Sequence, residues 1–305
     1  MSSIVLAGGF TMDHTVLPDG TFQKDAPGGN ILYSAIGASH FCTDVVLYGS
    51  VGSDYPQHYL DQLEQAGICT QYVQRLPLPN IKMWALYETN EQRQLIYRLN
   101  SGTNQQMDPY PTRITPQLLA RTGAVHICPV KQQVQQDLAR AFAGGGRTIS
   151  LDVIHIPGVL SPAAYADSAM LENVNCFLPS AAEVQVMFPN IPLTQVLKQW
   201  CSQMPNKVID IKDGANGCYV GHGTKQDHVP PDPTKVVDTT GAGDSFCGGF
   251  LAGYYQTQNA LQAAVMGSVA ASFTIQNFGG MHALCQPQQK IQARLQQVRQ
   301  HAEEL

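Results

Sequence analysis

Val236-Val237-Asp238-Thr239-Thr240-Gly241-Ala242-Gly243-Asp244-Ser245-Phe246-Cys247-Gly248-Gly249-Phe250 runs from a short strand through a glycine-rich turn into a helix of small and apolar residues. Gly241 and Gly243 free the backbone to turn its N–H groups outward where the helix begins. Such a nest, reinforced by the helix dipole, is an anion site. Asp244 falls at the helix N-terminus beside it. A carboxylate there can take a proton from an alcohol while the amides of Gly241, Ala242 and Gly243 stabilise a transferring phosphoryl group. The plainer reading is a helix cap behind a turn. Strand, two glycines, acid and small-residue helix occur together, which favours the chemical reading.

Upstream, short apolar runs alternate with helical patterns. Ile4 to Ala7, Val45 to Tyr48, Ala124 to Cys128, Thr148 to Asp152, Cys176 to Leu178 and Val208 to Ile211 read as buried strands, and a glycine-rich turn through Gly49 and Gly52 is expected after Tyr48. Ile31 to Phe41, Pro56 to Ala66, Gln132 to Phe142 and Leu193 to Cys201 read as helices. This alternation predicts an α/β fold, a mostly parallel sheet sandwiched by helices. Ligands of such sheets bind beyond the carboxyl ends of the strands. One region departs: Ile81 to Glu88 and Gln94 to Leu99, joined by Thr89-Asn90-Glu91-Gln92, form a hairpin, with Thr21 to Lys24 as a further edge strand. A small β lid built from about 12–27 and 72–100 is the functional reading, and a solvent-facing decoration the plain one. Downstream, Ser245 to Tyr255, Ala260 to Phe273 and Gln288 to His301 are helical. The 305 residues are expected to form a single domain.

Composition narrows the function. With 23 acidic against 18 basic residues the net charge is −5, which argues against a nucleic-acid-binding face. The eight cysteines show no C-x-x-C spacing, so zinc clips and redox motifs are not expected, and most lie in apolar runs as buried reduced thiols. The N-terminus lacks a signal-peptide pattern and the Ala263 to Ile275 run is too short to span a membrane. A cytoplasmic protein is expected. A P-loop and a G-x-G-x-x-G after the first strand are both absent from the sequence. The histidines lack metal-ligand spacing, and His126 reads as a core residue.

The Gly241–Asp244 segment closely resembles the C-terminal signature of the PfkB, or ribokinase-like, carbohydrate kinases. Ala26-Pro27-Gly28-Gly29-Asn30 before a helix resembles the family's N-terminal glycine pair, and Tyr48-Gly49-Ser50-Val51-Gly52-Ser53-Asp54 with Leu63-x-x-x-Gly67-Ile68 its next unit. The resemblance runs from about Gly8 to Gly280. It implies a ribokinase-like fold and an ATP-dependent, Mg²⁺-requiring kinase that phosphorylates a hydroxyl of a sugar, sugar acid or polyol. On the same resemblance Asp244 is the catalytic base, and Gly241, Ala242 and Gly243 form the anion hole. Asp13, Gly28, Gly29 and Asn30 bind the acceptor. Lys212, Gly214 and Gly217 form the nucleotide loop, with Ser180 and Ser268 as further nucleotide contacts. Glu183 holds Mg²⁺ through water. Asp238 and Thr240 hold a monovalent cation, K⁺ being the candidate, with carbonyls near Thr274, Asn277 and Gly279 beside them. Plain alternatives stay open: Asp13 as a turn residue, Lys212 as a solvated charge, Gly214 and Gly217 as hairpin formers.

The pattern also departs from the family. Ser180 stands where the family has Asn, Tyr33 where ribokinases have a ribose-binding Asn, and Pro129-Val130 where an acid is usual. Tyr97-Arg98 resembles the lid pair of fructokinase-like and ketodeoxygluconate-kinase-like members, so Arg98 is expected to meet a carboxylate or a hydroxyl-rich face of the acceptor, an exposed lid arginine being the plain reading. These features point away from free ribose. A nucleoside kinase is the alternative, with Tyr33, Trp84 and Tyr87 as a slot for the base. A catalytically silent ligand-binding protein is the second. A homodimer through the lid is expected.

Overall fold

Ile4 and Leu6 pack into one apolar core while Val5 and Ala7, between and after them, pack into a second. Alternate side chains leave a strand on opposite faces, so a strand apolar at every position must be covered on both sides. That strand is β1 (Ser3–Ala7) in a computed structural model that describes residues 2–88, 93–156 and 160–305. In chain order there follow β2 (Thr11–Val16), β3 (Phe22–Gly28), β4 (Val45–Gly52), β5 (Ile68–Leu76), β6 (Ile81–Tyr87), β7 (Arg93–Tyr97), β8 (Thr122–Ile127), β9 (Thr148–Leu151), β10 (Cys176–Phe177), β11 (Val208–Lys212), β12 (Cys218–His222), β13 (Lys225–Val229) and β14 (Glu303–Glu304). The helices are α1 (Asn30–Ser39), α2 (Gln57–Gln65), α3 (Asn104–Met107), α4 (Pro116–Arg121), α5 (Gln132–Phe142), α6 (Ala181–Met187), α7 (Leu193–Gln203), α8 (Ala242–Thr257), α9 (Ala260–Thr274) and α10 (Gln288–Gln300).

The large sheet has the order β14-β13-β12-β11-β10-β9-β8-β1-β4-β5. From β11 to β5 every neighbouring pair is parallel; β12, β13 and β14 are added antiparallel. The first core is closed by side chains of α1, α2, α8, α9 and α10, the second by α4, α5, α6 and α7. This is the expected sandwich.

A separate four-stranded sheet, β3-β2-β6-β7, makes the lid. The Ile81/Gln94 hairpin is present as antiparallel β6 and β7, and its expected turn at Thr89 to Gln92 lies outside the described residues. Three sequence expectations differ from the structure. The chain does not turn at Gly49: β4 continues extended to Gly52 and pairs with β5 along its length. The edge strand expected at Thr21 to Lys24 runs further, to Gly28. Residues 72–76, expected in the lid, belong to β5 at the edge of the large sheet. Polar Gln71, Gln74 and Arg75 mask that strand in the sequence, as suits an edge with one solvated face. Its buried residues, Ile68 and Thr70, both lie at its start, before the polar positions.

No two cysteines are bonded among the described residues. Five are buried, Cys42 and Cys69 half-buried, and Cys285 exposed, so not all are interior thiols. His126 is a core residue, its Nδ1 2.9 Å from Ser150 Oγ, and burial pushes its pKa down to about 3. Among the described residues no helix is long and apolar enough to cross a membrane.

Candidate active site

A cavity of about 860 Å³ lies between the carboxyl ends of the parallel strands and the inner face of the lid. Gly9 after β1, Pro129 and Val130 after β8, Asp152 after β9, Ser180 after β10 and Lys212 at the end of β11 all line it. It is the location at which open α/β sheets bind ligands.

The Gly241 turn supplies one end. Gly241 precedes α8 with φ 75, a left-handed backbone, and a Cβ there would collide with the Tyr33 ring. Only glycine meets both conditions. Ala242, Gly243 and Asp244 form the first turn of the 16-residue α8 and line the cavity. The Tyr33 phenol is raised well above its ordinary pKa by burial and then by the charges of Asp13 and Asp238, with Tyr87 and Asp244 adding to it. These groups therefore gather around one buried ring.

Lys212 is neither a solvated charge nor a loose loop residue. Its Nζ lies 2.6 Å from Asp152 Oδ2 and 3.3 Å from Cys247 Sγ. Burial works against its charge, but Asp152, Cys247 and Glu183 outweigh that and raise its pKa, so it is held protonated. Its Nζ lies 3.7 Å from the point a Cβ on Gly243 would occupy, which puts a fixed positive charge beside the turn.

Ser180 and Glu183 form a capping box on α6. Ser180 N donates to Glu183 Oε2 at 2.6 Å, and Glu183 N donates to Ser180 Oγ at 3.4 Å. Ser180 thus begins a helix as well as lining the cavity. Burial, then the charge of Asp152, raises the Glu183 carboxyl. Gly214 and Gly217 combine their two readings: both line the cavity, and both take positive φ in the turn between β11 and β12. Ser268 lines the wall and donates to the Pro230 carbonyl at 3.2 Å.

Toward the lid, Asp13 lines the cavity from β2. The glycine pair is needed by the protein itself: a Cβ on Gly28 would overlap the Asp13 carboxylate, and one on Gly29 the backbone of Gly9 and Phe10. Gly28 is not part of the wall. Asn30 joins two strand ends, its Oδ1 accepting from Gly9 N at 2.9 Å and its Nδ2 donating to the Pro129 carbonyl at 2.7 Å.

Arg98 does not reach the cavity wall. Its guanidinium pairs with Asp25 at 2.9 Å, so the carboxylate expected from an acceptor comes from the chain. Trp84 does not contribute to a base slot either. Met83 and Ala85 line the cavity, and the residue between them faces the other side of the lid, where Trp84 packs edge-on against His14 with centroids 4.5 Å apart.

Asp238 lies behind the turn rather than in its wall. Its Oδ1 accepts from Thr240 N at 2.9 Å, and its buried Oδ2 has no hydrogen-bond partner, like Thr274 Oγ1. Thr240 Oγ1 is 2.6 Å from the Tyr87 hydroxyl, which ties the lid to the turn. Among the described residues no three His, Cys, Asp or Glu side chains converge as a metal cage. Sequence reasoning missed Asp152 and Asp108, and it offered Tyr87 to a nucleobase without its bond to Thr240. An acid directly after an apolar strand could have flagged Asp152; nothing local marks Asp108 or the Tyr87–Thr240 bond.

Residues 9–287 match the pattern of the pfkB family carbohydrate kinases. The chain is 24% identical to a ribokinase of Lactococcus lactis, over 87% of this chain and 85% of that protein. It is 24% identical to a cytidine kinase of Thermococcus kodakarensis, over 92% and 98%. A solved Escherichia coli protein in complex with ATP and Mg²⁺ superposes with a TM-score of 0.74 at 17% identity, covering 97% of this chain and all of that one.

Proposed function

The chain belongs to the pfkB family of carbohydrate kinases, phosphotransferases with an alcohol acceptor, and from that premise we propose that it transfers the γ-phosphoryl group of ATP to a hydroxyl of an uncharged sugar or polyol. The observation that carries this reading is a single cavity that holds Asp244 at a helix N-terminus, Lys212 beside the same turn and Asp13 under the lid. In this reading Asp13 accepts hydrogen bonds from acceptor hydroxyls. Asp244 takes the proton of the reacting hydroxyl as its oxygen bonds to the γ-phosphorus and the bond to the β-phosphate oxygen breaks, releasing ADP. The N–H groups of residues 241–243, the head of α8 and Lys212 offset the charge on the transferring group. Pairing of Arg98 with Asp25 removes the cation that a sugar acid would need, which is why the acceptor is taken as uncharged.

Mg²⁺ fits the wall at Asp152 and Glu183, two neighbouring buried acids of which the first raises the pKa of the second. These two acids would hold a hydrated Mg²⁺ through its waters, and the ion would supply neutralisation of phosphate charge there. K⁺ fits behind the turn, where Asp238 Oδ2 and Thr274 Oγ1 are buried without partners. The nucleotide is assigned to the Gly214, Gly217 and Ser268 wall. A cytoplasmic setting would supply ATP, and a homodimer through the lid belongs to the same reading.

The test is ADP release with ATP and Mg²⁺ over hexoses, cyclic polyols, ribose, ketodeoxygluconate and nucleosides. Turnover of uncharged acceptors is expected. Turnover of ketodeoxygluconate alone would overturn the uncharged acceptor, and no acceptor-dependent release with any compound would overturn the kinase.

A further inference from the structure

Asp108 is a carboxyl group that the reaction above does not use. It follows α3, lines the cavity and is 4% exposed, and its Oδ2 is buried with no hydrogen-bond partner. An unpaired buried carboxyl is costly to the fold. Burial pushes its pKa up to about 6, with only the charge of Lys131 opposing. A group kept at such a cost inside a ligand cavity has a ligand as its natural partner.

Its position separates it from the reacting end. Asp13, Met83 and Tyr97 are in register across β2, β6 and β7, and all three line the cavity. Strands lie about 4.8 Å apart, so Tyr97 stands roughly 10 Å from Asp13 along this row. Asp108 belongs to the Tyr97 end, where its charge adds to burial in raising the Tyr97 phenol. Asp13 and Asp244 belong to the group around Tyr33. Met83 stands between the two ends in that row, and Ala85, Leu95 and Met107 add further apolar wall.

We propose that Asp108 is the specificity-determining group of a second acceptor subsite, which takes a hydrogen-bond-donating group on the part of the acceptor remote from the phosphorylated hydroxyl and rejects an anion there. The apolar wall accepts a ring face or carbon skeleton, and the carboxyl accepts from its edge. That donor is a ring hydroxyl of a polyol or hexose, or the amino group of a nucleobase; the chemistry is the same. A carboxylate at this end meets Asp108 without the counter-charge of Arg98.

This inference rests on the kinase reading, so its test compares wild type with Asp108→Asn, an isosteric change that keeps the shape of the site. Acceptor pairs separate the two sources: cytidine against uridine for the amino group, inositol against ketodeoxygluconate for hydroxyl against anion. For the preferred donor-bearing member, Asp108→Asn should lower kcat/KM by about 10-fold or more, with the KM for ATP unchanged. The preference within the pair should shrink by the same factor, and calorimetric affinity for that acceptor should fall with it. A wild type that turns over an acceptor while the variant keeps both rate and preference overturns Asp108 alone. A wild type that neither binds nor phosphorylates any compound of the panel overturns both readings.

Discussion

Asp244 and Asp210 are both acids in or near the sheet's ligand end, yet an amide at each should do opposite things. At Asp244 the amide keeps the shape of the first turn of α8 and removes the proton acceptor. Asp244→Asn should therefore lower kcat by at least ~10²-fold while nucleotide affinity and melting temperature hold, read by steady-state kinetics and calorimetry. Near-normal turnover would remove its assigned role. Asp210 is 0% exposed on β11, and burial pushes its carboxyl up to about 7, with Cys218 and Lys212 pulling it down and Asp152 adding to the rise. Its folded pKa thus lies above its unfolded one. Between about pH 4 and 7 the folded state holds the proton that the unfolded state has lost, so this group makes stability fall as pH rises through that window. The full effect is on the order of 4 kcal/mol above pH 7. Asp210→Asn should match wild type near pH 4 and exceed it in melting temperature at pH 8; a difference independent of pH would refute this. The same contrast shows what could be read from the sequence. Residues 241–244 are neighbours in the chain, so their joint chemistry is local and visible. Lys212 and Asp152 are 60 positions apart and meet only because their strands end side by side. The Arg98–Asp25 pair is hidden for the same reason, its members lying 73 positions apart.

At the scale of elements, period and turn signals reveal the strands that are buried on both faces, such as β1 and β8. They miss β2 and β5, where polar side chains interrupt the pattern and pairing partners decide the conformation. The lid was visible as a hairpin, but its grip on the body was not. The Tyr87 hydroxyl, at the end of β6, is 2.6 Å from Thr240 Oγ1, and Gly241 follows directly. The lid is thereby tied to the loop that carries the anion site. A neutral hydrogen bond of this kind contributes about 1 kcal/mol. Tyr87→Phe should lower kcat severalfold with little change in melting temperature, because the loop's orientation rather than the fold depends on it. Thr240→Val should do the same, and the double variant should be no worse than either single one. Fully additive losses in such a cycle would show that the two hydroxyls act independently.

At the scale of the whole molecule, the lid has two faces with different surroundings. Its inner face closes the cavity through Asp13, Met83, Tyr97 and Leu95. Its outer face carries the register row His14, Trp84 and Ile96 and the pair Val16 and Phe22. Phe22 is 59% exposed, Ile96 45%, and Leu99 just beyond β7 93%. Single exposed apolar residues are ordinary, but several on one small sheet mark an interaction surface. The homodimer proposed above would use this face, because a two-fold contact between like apolar faces is self-complementary. In such a dimer the site would be linked to association, because each lid that closes over a ligand would be braced by its neighbour. Phe22→Ser combined with Ile96→Ser leaves the cavity wall intact, since neither side chain lines it. The wild type should sediment as a dimer at micromolar concentration and the double variant as a monomer. The variant should also show a higher KM for the acceptor than wild type, by a few fold, with the chemistry of Asp244 unaltered. A wild type that is monomeric at every concentration would leave the outer face of the lid to solvent, and a variant that remains dimeric would place the interface elsewhere.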